Sequence, residues 1–396
     1  MKKLIVILVL MIGAATLCFA ASEEVQVYEF LYNASPTNAG QLDILQNMSE
    51  SRLTGAGEFY SKALRKLLSE YNNIKDITQK NAADEQAMLL SALLGAEKYS
   101  QAASDLWLVV DTFSAPLVKA EALMALGKIR ATNYLPQVIR VLEGLNVAPT
   151  ADRLNGERIA FGAIIALEKF QDPSGYLPVF FASTGWYSDR IKSQAARSLP
   201  FISQNPTPYM TEIVRGSGYD YPTKYGALKT IEASKVTNKE KVGIAVIALA
   251  EGWRSSTSDV ALRNVLSDMR KMSIGMINRY KTDDAAIYPL LERCYTQGVD
   301  TQEKLSAIAA LASQGTDESA RRLAKFLEDL NDKRRSNNIR PEDEQMVRAI
   351  IPALGQTGRS NVMEVRAALN NTASASNWTP AVIALANAEI RKLFPR

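Results

Sequence analysis

From Gly57 onward the chain repeats its apolar positions at a spacing close to 3.6 residues, the period of one helical face. The clearest instance is PLVKAEALMALGKIRATNYLPQVIRVLEGL, residues 116–145. Leu117, Ala120, Leu123, Met124 and Leu126 share one face of a first helix, and Leu135, Val138, Ile139 and Leu142 share one face of a second. Gly127 reads as the stop of the first and Asn133 as the cap of the next. Each helix spans about 12 to 15 residues, too short to persist alone in water. Their apolar faces must therefore be buried against other helices.

The same pattern recurs along the chain. It predicts a helix over 59–71, then pairs over 82–96 with 101–113, 157–170 with 174–182, 189–216 and 221–253. Further pairs follow over 259–273 with 285–296, 302–313 with 318–330, and 342–354 with 361–369, and a last helix over 380–394. Ala125-Leu126 returns as Ala166-Leu167, and Tyr134-Leu135-Pro136 as Tyr176-Leu177-Pro178, one repeat later. Alanines at 122, 125, 163, 195, 227 and 309 are expected where helices approach closely. The segments 33–40, 275–284 and 328–344 read as loops from their turn residues and charges, and VQVYEFLY (25–32) as either a strand or the opening of a helix.

The segments VKAEALMALGKI, ERIAFGAIIALEKF, IKSQAARSLPFI, EKLSAIAALASQG and QMVRAIIPALGQTG resemble HEAT repeats of the armadillo-like α-solenoid class. The resemblance implies an all-α fold, a right-handed α-α superhelix of about eight helix pairs, over residues 81–396 after an N-terminal cap region at 21–80. In such arrays each pair buries its faces against the pairs before and after it. The resemblance is specific for fold and nearly silent on function.

Composition adds exclusions. There is no histidine among the 396 residues, which removes Ser-His-Asp and Cys-His catalysis, HExxH metal sites and imidazole pH switches together. The start, MKKLIVILVLMIGAATLCFA, has a basic n-region at Lys2 and Lys3, an apolar core and small residues before a cut after Ala20. It reads as a bacterial secretory signal peptide over 1–20, making the protein periplasmic or secreted; lipidation at Cys18 is the alternative. Without Lys2 and Lys3 the charge is nearly balanced, with 44 basic against 42 acidic residues, so no polyanion partner is indicated. The remaining cysteine, Cys294, has no partner for a disulfide within the mature chain and reads as a buried thiol, with a reactive or intermolecular thiol as the alternative. No later segment is apolar for long enough to span a membrane.

One constellation stands out as a candidate binding site. Gly185-Trp186-Tyr187, Gly218-Tyr219-Asp220-Tyr221 and Gly252-Trp253-Arg254 follow three successive second helices at one-repeat spacing. Trp186, Tyr187, Tyr219, Tyr221, Trp253 and Arg254 are read either as an aromatic recognition edge or as rings that fill the gaps between repeats. The basic run Lys333, Arg334, Arg335 and Arg340 is bracketed by acids and reads as a solvated loop. No catalytic set, cofactor motif or metal-ligand cluster is apparent. The expected function is a non-catalytic scaffold or adaptor that binds a protein partner through its solenoid surface. The alternatives are a glycan or small-ligand module using the aromatic edge, and an enzyme built on paired carboxylates.

Overall fold

The computed structural model describes residues 23–255, 257–282, 284–375 and 377–395. The expected leader, with Cys18 and the cut after Ala20, lies outside the described residues. Among the described residues there are twenty α-helices and no strand. They form two compact units that meet in sequence at Gln204 and Asn205, so the pair expected over 189–216 is divided between the two.

Unit 1 holds α1 (Glu23–Ala34), α2 (Asn38–Glu50), α3 (Gly57–Glu70), α4 (Ile77–Ala96), α5 (Ala103–Thr112), α6 (Pro116–Lys128), α7 (Leu135–Val147), α8 (Arg153–Phe170), α9 (Tyr176–Thr184) and α10 (Asp189–Ile202). Three of these helices, α2, α4 and α8, start on side-chain caps. Thr37, Asp76 and Asp152 accept from the backbone N–H groups of Gly40, Gln79 and Asn155, and Pro116 opens α6 where its missing N–H is no loss. The even-numbered helices α2, α4, α6, α8 and α10 stack in file as one layer. Each odd-numbered helix from α3 to α9 packs more closely on the even helix that follows it than on the one before. The links after α4, α6 and α8 contain 3-10 turns at Ser100–Ala102, Thr132–Tyr134 and Pro173–Gly175.

The file of even helices is tight because small residues face each other. Ala122, Ala125, Ala163 and Ala166 are wholly buried. A Cβ on Gly127 would stand 2.6 Å from the Ala166 Cα, and one on Gly162 would stand 2.7 Å from the Ala120 Cα. Leu123, Leu126, Ile164 and Leu167 are fully buried beside them, each contributing roughly 1.5–3 kcal/mol.

Unit 2 holds α11 (Thr207–Arg215), α12 (Tyr221–Ala233), α13 (Asn238–Glu251), α14 (Val260–Tyr280), α15 (Ile287–Gln297), α16 (Thr301–Gln314), α17 (Asp317–Arg335), α18 (Pro341–Thr357), α19 (Met363–Ser374) and α20 (Pro380–Leu393). Here too the helices stack with the next and the next but one: α12, α14, α16, α18 and α20 form one file, and α11, α13, α15, α17 and α19 lie along it. This is an all-α, solenoid-like arrangement in each unit.

Several expectations need correction. Residues 23–34 are helical, so the VQVYEFLY strand alternative falls, and the 33–40 loop shrinks to Ser35–Thr37. The expected boundary at residue 80 falls inside α4, and α2 continues the file into the supposed cap region. The expected helices at 59–71 and 380–394 are α3 and α20, and α1 and α2 are added to them and to the eight expected pairs. The linker at 275–284 begins instead after Tyr280, because Met276 and Ile277 continue the buried face of α14. Gly127 lies inside α6, which closes at Arg130 in the left-handed conformation, and Asn133 sits in a 3-10 turn. Ala309 is on the surface, while its neighbour Ala310 is buried. Leu117 is 51% exposed, with Val118 taking the inward place beside it.

Candidate functional site

In unit 1, Trp186 and Tyr187 follow α9. The Trp186 indole N–H donates to the Leu145 carbonyl near the end of α7 (2.8 Å), and the Tyr187 hydroxyl donates to Asn146 Oδ1 (2.9 Å). Both partners lie 41 residues back, one repeat earlier. The two rings stack with centroids 4.2 Å apart, and the Arg153 guanidinium lies over Trp186 at 5.5 Å. Tyr187 is 1% exposed, and burial first, then the Glu157 charge, pushes its phenol far above the ordinary range. These rings tie the segment after α9 to the C-terminal end of α7.

In unit 2, Tyr219 is half-buried against Gly216, and Asp220 caps α12 through the Thr223 N–H at 2.8 Å. Tyr221 carries the Lys224 ammonium over its ring at 5.4 Å. Trp253 is sandwiched between the guanidinium groups of Arg270 (4.1 Å) and Arg293 (4.5 Å), and its indole N–H points to Cys294 Sγ at 3.4 Å. Arg254 is largely exposed and bonds Glu251 at 2.9 Å.

Around Trp253 lies a buried charge network that sequence pattern did not indicate. Arg270 in α14 holds Glu303 in the first turn of α16 with two bonds, Nε–Oε1 at 2.6 Å and Nη2–Oε2 at 3.1 Å. Its remaining Nη1 donates to the Gly252 carbonyl at 2.8 Å. The Val299 N–H also donates to Glu303, and the helix N-terminus favours a carboxylate there. The Arg270 and Glu303 side chains are 4% and 0% exposed. Lys224 and Glu251, both 5% exposed, pair at 2.8 Å nearby. Every charge in this cluster is matched, as burial demands.

Cys294 is fully buried in this cluster, and its thiol is pushed up to about 12, chiefly by desolvation. Native protein at pH 8 should therefore resist iodoacetamide, whereas the unfolded chain should alkylate readily. Mass spectrometry of labelled protein checks this; rapid native labelling would mean that solvent reaches the thiol. The linkage has a fixed sign. The unfolded thiol ionises near 9.0 and the folded one near 12, so the contribution to stability is whole below pH 9 and is lost between about 9 and 12.

The basic run at 328–344 is helical through Arg335, and Lys333, Arg334 and Arg335 occupy the last turn of α17, where cations suit the helix dipole. Lys333 pairs with Asp343 at 2.9 Å, Arg334 binds the Asn377 carbonyl and Arg335 pairs with Asp332. Arg340 precedes α18, its backbone N–H bonded to Asp343. Inside the fold, these charges are largely spent.

Two surface features of unit 1 also escaped the pattern reading. The first is a groove of about 390 Å³ crossing α4, α6, α8 and α10, where Met88, Leu117, Met124, Leu154 and Phe161 lie beside the charged Glu121, Glu157, Arg158 and Arg190. Leu117 and Leu154 are more than half exposed, at 51% and 57%. The second is a groove of about 540 Å³ at the C-terminal ends of α4, α6 and α8, lined by Lys98, Lys128, Arg130 and Lys169 with exposed Phe201. A register of basic residues after Leu94, Leu126 and Leu167 marked this second groove in the sequence.

Among the described residues, no three His, Cys, Asp or Glu side chains are grouped as metal ligands, and no helix is long and apolar enough to cross a membrane. No family model matches the chain, and no curated protein matches it.

Proposed function

We propose that this protein is a non-catalytic, HEAT-like scaffold that works outside the cytoplasm, periplasmic or secreted after removal of residues 1–20, and holds a protein partner on the file of even helices in unit 1. The observation that carries the reading is the groove across four successive even helices, in which exposed Leu117 and Leu154 sit among Glu121, Glu157, Arg158 and Arg190, a mix of apolar and charged groups suited to a protein surface. Stacking needs Leu123, Leu126, Ile164 and Leu167 inside. It does not need Leu117 and Leu154 outside, and contiguous exposed apolar surface marks interaction sites. The aromatic residues Trp186, Tyr187 and Trp253 serve this reading as inter-repeat packing, since their polar atoms are already bonded within the chain.

The test is site-specific photo-crosslinking in intact cells from positions 117 and 154, with position 144 as control. A single discrete adduct from 117 and 154, lost in the Leu117→Glu/Leu154→Glu protein at unchanged melting temperature, is the expected result. Adducts equally abundant from position 144 would remove the assignment.

A further inference from the structure

The groove at the ends of α4, α6 and α8 is built by repetition. Lys98, Arg130 and Gln171 each follow a first helix with positive φ, at 53°, 55° and 57°. Lys98 and Arg130 close Schellman motifs, the Tyr99 and Ala131 N–H groups bonding the Leu94 and Leu126 carbonyls. Glycine is the relaxed residue for this conformation. In unit 2 glycine takes this place after α16 and α18, at Gly315 and Gly358 with φ 62° and 66°, although Lys281 follows α14 at φ 55°. In unit 1 two of the three positions carry long cations, Lys98 and Arg130, and the third carries Gln171.

Cations at helix C-termini complement the dipole, and one per helix is enough for that. Here Lys98, Lys128, Arg130 and Lys169 meet at three helix ends, against one acid in the lining, Glu168. Lys128 and Lys169 have Glu121 and Glu168 as partners, at 3.4 and 3.0 Å. Lys98 and Arg130 make no ion pair among the described residues, and both are exposed. The surface is therefore short of negative charge, and Phe201, 60% exposed, supplies an apolar wall.

The helical spacing links this groove to the other. Leu117, Met124 and Lys128 fall on one stripe of α6, and Leu154, Phe161 and Glu168 on one stripe of α8. An occupant lying along α6 passes Leu117 and Met124 and reaches Lys128 at the helix end, whereas the α8 stripe ends on Glu168, which already pairs with Lys169.

We propose that the groove receives an acidic peptide segment of the partner, two neighbouring carboxylates meeting Lys98 and Arg130 while an apolar side chain lies against Phe201. This rests on the reading of the chain as a protein-holding scaffold. Charge complementarity favours carboxylates, and the apolar wall favours a peptide over a bare anion.

The probe is a fluorescent peptide of four glutamates followed by Leu-Phe, compared with the same peptide carrying glutamine for glutamate, read by anisotropy on the full chain. The glutamate peptide should bind about tenfold more tightly or better, and lose that margin as salt rises. The Lys98→Gly/Arg130→Gly protein should lose about tenfold in affinity, with melting unchanged or raised, because glycine fits both left-handed positions. Equal binding of the two peptides, or unchanged binding by the double variant, overturns the proposal. Tighter binding of a single-stranded oligonucleotide than of the glutamate peptide overturns it as well. Adducts from positions 117 and 154 that persist in a protein failing these tests would leave the scaffold standing and remove only the acidic segment.

Discussion

Glu303→Ala is expected to destabilise unit 2 by about 3–5 kcal/mol, the usual effect of stranding one member of a buried ion pair. The substitution removes both carboxylate bonds from Arg270, which is 4% exposed and has no path to water without opening the α14–α16 contact. The Gly252 carbonyl and the Trp253 ring remain as partners, and neither neutralises a full charge. Val299 also loses the acceptor for its N–H. Urea unfolding followed by circular dichroism measures the change. The companion variant Arg270→Met/Glu303→Leu should recover most of the loss, because replacing a buried pair by apolar groups of similar size is often neutral or better. Arg254→Ala is the surface control: Arg254 is 69% exposed, so its pair with Glu251 should be worth about 0–1 kcal/mol. A Glu303→Ala protein within about 1 kcal/mol of wild type would mean that water already solvates Arg270.

This network shows where sequence reading stops. The helices were legible because their apolar faces recur at helical spacing and must be buried, whatever they are buried against. Loops were less so. Residues 275–280 and 328–335 look like linkers by glycine and charge content, yet Met276, Ile277, Leu330 and Asn331 are buried and keep the helices in phase. The aromatic positions were legible as special, but their role depends on partners 41 residues away, at Leu145, Asn146 and Cys294. Nothing local distinguishes a ring that bonds the adjacent repeat from one that waits for a ligand. Arg270 and Glu303 lie 33 residues apart in ordinary amphipathic helices, and only the stacking reveals that they face inward. The basic register at Lys98, Lys128, Arg130 and Lys169 was written in the chain, but its left-handed positions carry Lys and Arg, so no glycine marked them.

Glycine placement supports the second large prediction, and here the sign of the effect carries the argument. Glycine inside a helix is normally a weakness, and Gly→Ala at an unobstructed site stabilises by about 0.4–1 kcal/mol. Gly144 in α7 is such a site, with nothing within 4 Å of the added Cβ, so Gly144→Ala should raise stability by that amount. Gly127 in α6 has the same intrinsic propensity to gain and the opposite surroundings. Its Cβ would lie 2.6 Å from the Ala166 Cα and 3.1 Å from the Ala166 carbonyl oxygen, backbone atoms that no rotamer change can move aside. The helices α6 and α8 must separate, and the loss extends to the buried Leu123, Leu126, Ile164 and Leu167 that pack beside the crossing. Gly127→Val should therefore destabilise unit 1 by about 3 kcal/mol or more, at or above the usual range for overpacking, with Gly127→Ala smaller but of the same sign. Because stacked repeats depend on their neighbours, the damage should spread to α4 and α10 in hydrogen exchange instead of staying within one helix. A Gly127→Ala protein as stable as Gly144→Ala would show that α6 and α8 do not meet at this crossing, and the tight file of even helices would have to be given up with it.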